Sequence, residues 1–81
     1  MEVLLRLQCD DLLGGRIERE TPTGLVTIAT VARGADGLTV HVTDGREGQG
    51  LEHLQGLRAR DCNELQRRMG RTDVTITMPT G

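Results

Sequence analysis

The side chains in this chain that are suited to chemistry are few and scattered. Cys9, Asp10, Asp11, His41, His53 and Cys62 are of types that bind metals or move protons. None of them shows the close ligand-pair spacing, such as Cys-x-x-Cys, that marks a metal or redox site. Asp10-Asp11 reads as a helix cap or strand end rather than an acid–base pair. His41 falls on the polar side of an alternating stretch and His53 on a solvent-facing one, so both read as surface histidines. The chain has no Ser and no Lys, which removes serine nucleophiles, Schiff bases and the P-loop lysine. It also has no Phe, Tyr or Trp, so it offers no base-stacking platform. No catalytic, metal or cofactor set is assigned, and binding is expected rather than catalysis.

Glycine supplies the next candidate. Gly45, Gly48 and Gly50 lie in Asp44-Gly45-Arg46-Glu47-Gly48-Gln49-Gly50, between a strand pattern and a helix pattern. Exposed N–H groups in such a loop can cradle an anion, helped by a following helix dipole. Together with Gly56-Leu57-Arg58-Ala59-Arg60, the stretch resembles the glycine-box end of histidine-kinase-type ATPase domains. That resemblance implies a nucleotide phosphate site, but the family's Asn-bearing metal helix has no counterpart here. A solvated crossover loop is the reading taken, with an enzyme built on residues 44–50 ranked last.

Arginine provides all the formal positive charge, ten residues against twelve Asp and Glu, for a net charge of −2. That balance argues against duplex nucleic acid as partner, which needs a basic footprint. Arg58, Arg60, Arg67, Arg68 and Arg71 make the C-terminal third locally basic, and guanidinium forks suit carboxylates and phosphates. Arg60, Arg67, Arg68 and Arg71 are therefore candidates for a contact surface. From Arg60-Asp61 through Glu64 and Gly70-Arg71 to Met78-Pro79 and Gly81, the chain also resembles the end of the regulatory components of soluble diiron monooxygenases. Those proteins bind a hydroxylase and carry out no chemistry themselves. The family's aromatic before the final Gly is missing here.

The elements that must position these residues follow from periodicity. Val3, Leu5, Leu7 and Cys9 alternate with polar residues, as do Leu38, Val40 and Val42, and Val74, Ile76 and Met78. Each set predicts a strand with one buried face. Residues 25–32 are β-branched and apolar on both faces, as a central strand would be. Gly34-Ala35-Asp36-Gly37 predicts a hairpin between that strand and the next. Asp61 and Glu64 predict a capping box for a helix lined by Cys62, Leu65 and Met69 and stopped at Gly70. Leu51 to Leu57 reads as a second helix. Residues 10–24 are left open, as a short helix or as a hairpin turning at Gly14-Gly15. Asp10-Asp11-Leu12-Leu13-Gly14 resembles the turn that ACT domains place after their first strand, which implies a dimer module sensing a small ligand.

These elements assemble, on expectation, into a single α+β domain over residues 1–81. The arrangement is a two-layer ferredoxin-like βαββαβ sandwich, or alternatively ββββαβ with one main C-terminal helix. Cys9 and Cys62 read as buried thiols of a reduced cytoplasmic protein, a bridge between them being left open. Neither a signal peptide nor an apolar stretch of about 20 residues is recognised, so no membrane partner is expected. Helices can cover only one sheet face in so short a chain. The apolar residues of 25–32, among them Leu25, Ala29 and Val31 or the Val26/Ile28 set, should then stay partly uncovered. The functional expectation is a non-enzymatic regulatory, accessory or inhibitory subunit that docks on a larger protein or forms a homodimer. Its open sheet face would contribute Thr27, Ala29, Thr39, His41, Thr75 and Thr77.

Overall fold

A computed structural model describes residues 5–43, 51–70 and 74–77. Four strands follow one another: β1 (Leu5–Asp10), β2 (Gly14–Thr21), β3 (Gly24–Gly34) and β4 (Gly37–Val42). A single 3₁₀ turn (Glu52–Leu54) leads to the two-residue β5 (Arg58–Ala59), then α1 (Cys62–Arg68) and β6 (Val74–Thr77). All six strands form one mixed sheet in the order β5-β4-β3-β2-β1-β6, with β6 parallel to β1 and the other pairs antiparallel. The sheet curls into a half-barrel.

The ferredoxin-like sandwich is thereby overturned, because that fold needs two helices packed on one face and the described residues hold one short α-helix in a mostly β chain. The five-strand ββββαβ arrangement likewise lacks β5 and the curled single sheet. Residues 10–24 are the first point of departure. Gly14 adopts φ +82°, which is open to glycine and strained for other residues. Asp10 Oδ1 accepts the N–H groups of Leu12 (2.7 Å) and Leu13 (3.3 Å), closing a turn over residues 11–13. The chain returns as β2, so of the two readings left open for this segment the hairpin holds, turning at residues 11–13 just before Gly14. The second departure is residues 51–57. Leu51 and Leu54 bury their side chains three residues apart, a spacing that one 3₁₀ turn satisfies. Gly56, at φ +78°, then redirects the backbone, and Gly56 N–H donates to Val40 O (2.9 Å). That bond starts the pairing of β5 with β4.

The core lies on the inner face of the curl. Leu5 and Leu7 of β1, Ile17 of β2, Val31 of β3 and Leu38 and Val40 of β4 are buried there against Leu51, Leu54, Leu65 and Met69. Removing each such Leu, Ile or Val from water contributes about 1.5–3 kcal/mol. The expectation that β3 leaves apolar residues uncovered fails at Ile28, Ala29 and Val31. A β-bulge explains it: Ile17 pairs with Ala29 but Glu18 pairs with Thr27, so Ile28 is the extra residue. The bulge lets consecutive Ile28 and Ala29 both enter the core. Thr43 fixes it by donating to Ile28 O from both its backbone N–H and its hydroxyl, each at 2.8 Å. Only Leu25 of the named residues remains substantially exposed.

Cys9 and Cys62 are joined in a disulfide, in place of the free thiols expected. The end of β1 and the start of α1 are thereby joined, so the bridge ties the sheet to this helix. Both half-cystines are buried among the core residues.

Candidate functional site

The expected contact residues separate onto two sides of the molecule. Strand register places Thr75 beside Arg6, Arg6 beside Glu18 and Glu18 beside Thr27 on the outer face of the sheet. A second row on that face runs Thr77, Gln8, Arg16, Thr30, His41 across five strands. Thr39 follows in line with Ala32 and Arg58. Thr27, Thr39, His41, Thr75 and Thr77 therefore do share one face. Ala29 does not belong to it, since the bulge turns it into the core. Arg60, Arg67 and Arg68 are exposed around α1, which covers the inner face. Gly45, Gly48, Gly50 and Arg71 lie outside the described residues.

The outer face is polar and internally paired. Glu18 is only 7% exposed although charged. Its carboxylate accepts from Gln8 Nε2 and meets Arg16 Nε at 3.3 Å, so the burial is compensated on both oxygens. Arg6 pairs with Glu20 at 2.8 Å alongside. Such a network specifies strand register and leaves little apolar area for a partner. Of the apolar residues named for a dimer contact, Ile28, Ala29 and Val31 are buried, Val26 is half-buried and Leu25 is exposed.

The basic side is partly paired. Glu64 meets Arg60 at 3.3 Å and Arg68 at 3.6 Å, and Arg58 reaches Asp36 at 3.8 Å. The backbone N–H of Arg60 donates to Glu64 Oε1 at 2.8 Å. That bond and the two guanidinium groups hold the Glu64 carboxyl below its ordinary range.

Among the described residues the most exposed apolar feature is the turn between β1 and β2. Leu12 is 78% exposed and Leu13 81%, against 45% for Leu25, the remaining large exposed apolar residue among those described. The tip is held firmly. Asp10 caps it from within, and Asp11 Oδ1 accepts the N–H of Cys62 at 2.9 Å, anchoring it to the start of α1. The disulfide adds a covalent tie between Cys9, one residue before Asp10, and that same Cys62. Beside the tip a groove of about 320 Å³ runs along β1 and β2, lined by Gln8, Asp10, Leu13, Arg16 and Thr77 among others.

Leu12 and Leu13 escape a reading based on periodicity because a turn has no burial period to violate. The available signal was an apolar pair set inside turn chemistry, between Asp10-Asp11 and Gly14-Gly15. Gln8 was legible only as a wet-face residue, and Arg16 and Glu18 fell in the segment left open. Among the described residues no group of His, Cys, Asp and Glu gathers as a metal site would require, and no helix is long and apolar enough to cross a membrane. Comparison with known protein families, characterised proteins and solved structures finds no match to this chain.

Proposed function

We propose that this is a non-enzymatic binding protein, a small regulatory or accessory subunit that docks on a larger protein through the β1–β2 turn. The observation that carries this reading is the exposure of Leu12 and Leu13 on a turn fixed by hydrogen bonds and a disulfide. Exposed apolar side chains held in one conformation lose little freedom on binding, which is how preorganisation raises affinity. Large apolar residues left in water on a small domain commonly mark a contact site. The Cys9–Cys62 bridge favours an oxidising compartment over the cytoplasm expected from the sequence, because reducing compartments rarely maintain structural disulfides.

The test is site-specific photocrosslinking in the native cells, with the crosslinker replacing Leu12. A discrete adduct of one mass is expected, and Leu13→Asp should abolish it. Adducts that are absent, or indifferent to Leu13→Asp, defeat the reading.

A small-ligand sensor of the ACT kind is the second reading, favoured by one feature. The groove beside the tip is lined by Asp10 and by Arg16, whose opposite charges would suit a zwitterion such as a free amino acid if the ligand displaced Glu18 from Arg16. A thermal-shift screen across amino acids separates the two: stabilisation lost on Arg16→Ala would favour the sensor.

A further inference from the structure

We infer that the surface recognised by the leucine tip belongs to another protein and is apolar with a basic rim, such as a cationic amphipathic segment. The inference rests on the docking role proposed above and adds the chemistry of the partner. Three carboxylates surround the tip. Asp10 and Asp11 directly precede Leu12, and the bond from Cys62 N–H to Asp11 brings the adjoining Asp61 beside them. Each spends an oxygen on a backbone N–H: Asp10 on Leu12 and Leu13, Asp11 on Cys62, and Asp61 on Glu64. No ion pair among the described residues involves any of the three. Of the cations nearby, Arg16 is committed to Glu18 and Arg60 to Glu64, while Arg33 donates to the Arg60 carbonyl at 3.4 Å and offsets one of the three negative charges.

The charge around the tip is thus net negative and fixed in place, while the leucines it surrounds are exposed. Like charges brought together at an interface are costly, whereas opposite charges steer the encounter. An anionic bilayer, which carries negative surface potential, is disfavoured for that reason. A second copy of this chain is disfavoured because in a symmetric contact the tip would meet its own carboxylates, and among the described residues Leu25 is the one other large apolar residue exposed to receive it. What remains is a foreign surface that brings both the apolar pocket and the cations.

Two short fluorescein-labelled amphipathic peptides serve as probes, one of Leu and Lys and one of Leu and Glu, with anisotropy read at low and high salt. The wild-type protein should bind the Leu/Lys peptide at least about tenfold more tightly than the Leu/Glu peptide, with salt eroding the difference. The triple variant Asp10→Asn, Asp11→Asn, Asp61→Asn keeps each capping oxygen, so the fold should survive, as a thermal melt will check. Its preference should fall to within about twofold, since only the charge has been removed. Leu12→Ser with Leu13→Ser should lose both peptides. Equal binding of the two peptides, no binding of either, a preference unchanged in the Asn variant, or tighter binding to phosphatidylserine vesicles would each overturn the inference. The crosslinking experiment decides the docking role separately: a Leu13-dependent adduct together with any of these results leaves docking intact and removes only the basic partner.

Discussion

A methyl group on Gly15 would stand 1.8 Å from the carbonyl oxygen of Gln8 and 2.8 Å from its carbon. Both are backbone atoms of β1, so no side chain can rotate away. Gly15 faces Cys9 across the β1–β2 ladder, and its missing side chain lets the strands meet where the disulfide leaves the sheet. Gly15→Ala should therefore cost on the order of 1–3 kcal/mol, the usual range for overpacking, read as a lowered urea midpoint with an unchanged slope. An unaltered midpoint would show that β1 and β2 can separate there freely. The Gly-Gly pair announces itself in the sequence as a break in helix propensity. Its use as a close-packing surface depends on which strand lies opposite, and local sequence does not carry that. Leu12 and Leu13 obey the same limit: that they are apolar is plain, but their exposure is a property of the turn beneath them.

Among the elements, α1 is the one whose start, buried stripe and end follow most directly from residue order. Asp61 accepts the Glu64 N–H at 2.8 Å, and Cys62, Leu65 and Met69 are buried as their spacing requires. One detail differs from a capping box: Glu64 reaches back to the N–H of Arg60, one residue before the cap. Asp61→Ala should cost about 0.5–2 kcal/mol, measured by denaturant unfolding. Glu64 adds a pH dependence whose sign is fixed by its lowered pKa. The unfolded chain holds the proton more tightly than the folded one, so ionised Glu64 favours folding above the unfolded pKa. That contribution disappears as pH falls through the folded pKa. Wild type should be more stable than Glu64→Gln at neutral pH, the two converging in acid, and a gap that persists at low pH would refute the charge as its cause. Although β2 fell in the segment left open, strand alternation was equally legible in β1, β4 and β6. The helices expected at 51–57 and allowed at 10–24 were not, since Leu51/Leu54 spacing fits a single turn as well as a helix. Glycine torsions at Gly14 and Gly56 decided both.

At the scale of the whole molecule the curled sheet has one core and one covalent tie across it. The Cys9–Cys62 bridge spans 53 residues of sequence, from the first described strand to the helix. It therefore closes a loop that holds all of β2 to β5 within it. In the chain-entropy account, restricting the unfolded chain over a loop of that length contributes about 4 kcal/mol. A domain of this size has a total stability of roughly 4–12 kcal/mol at the usual value per residue. The bridge is thus a large share of what keeps an aromatic-free core folded. Reduction should lower the thermal midpoint by roughly 15–30 °C, following the entropy of unfolding of small domains. Because both half-cystines are buried, dithiothreitol should act slowly on the folded protein and quickly once mild denaturant opens it. The measurement is a pair of calorimetric scans, oxidised and reduced, with free thiols titrated to confirm that the bond is broken. A reduced protein with two free thiols and an unchanged midpoint would show that packing alone closes the half-barrel. It would also remove the disulfide as a reason to place the protein in an oxidising compartment.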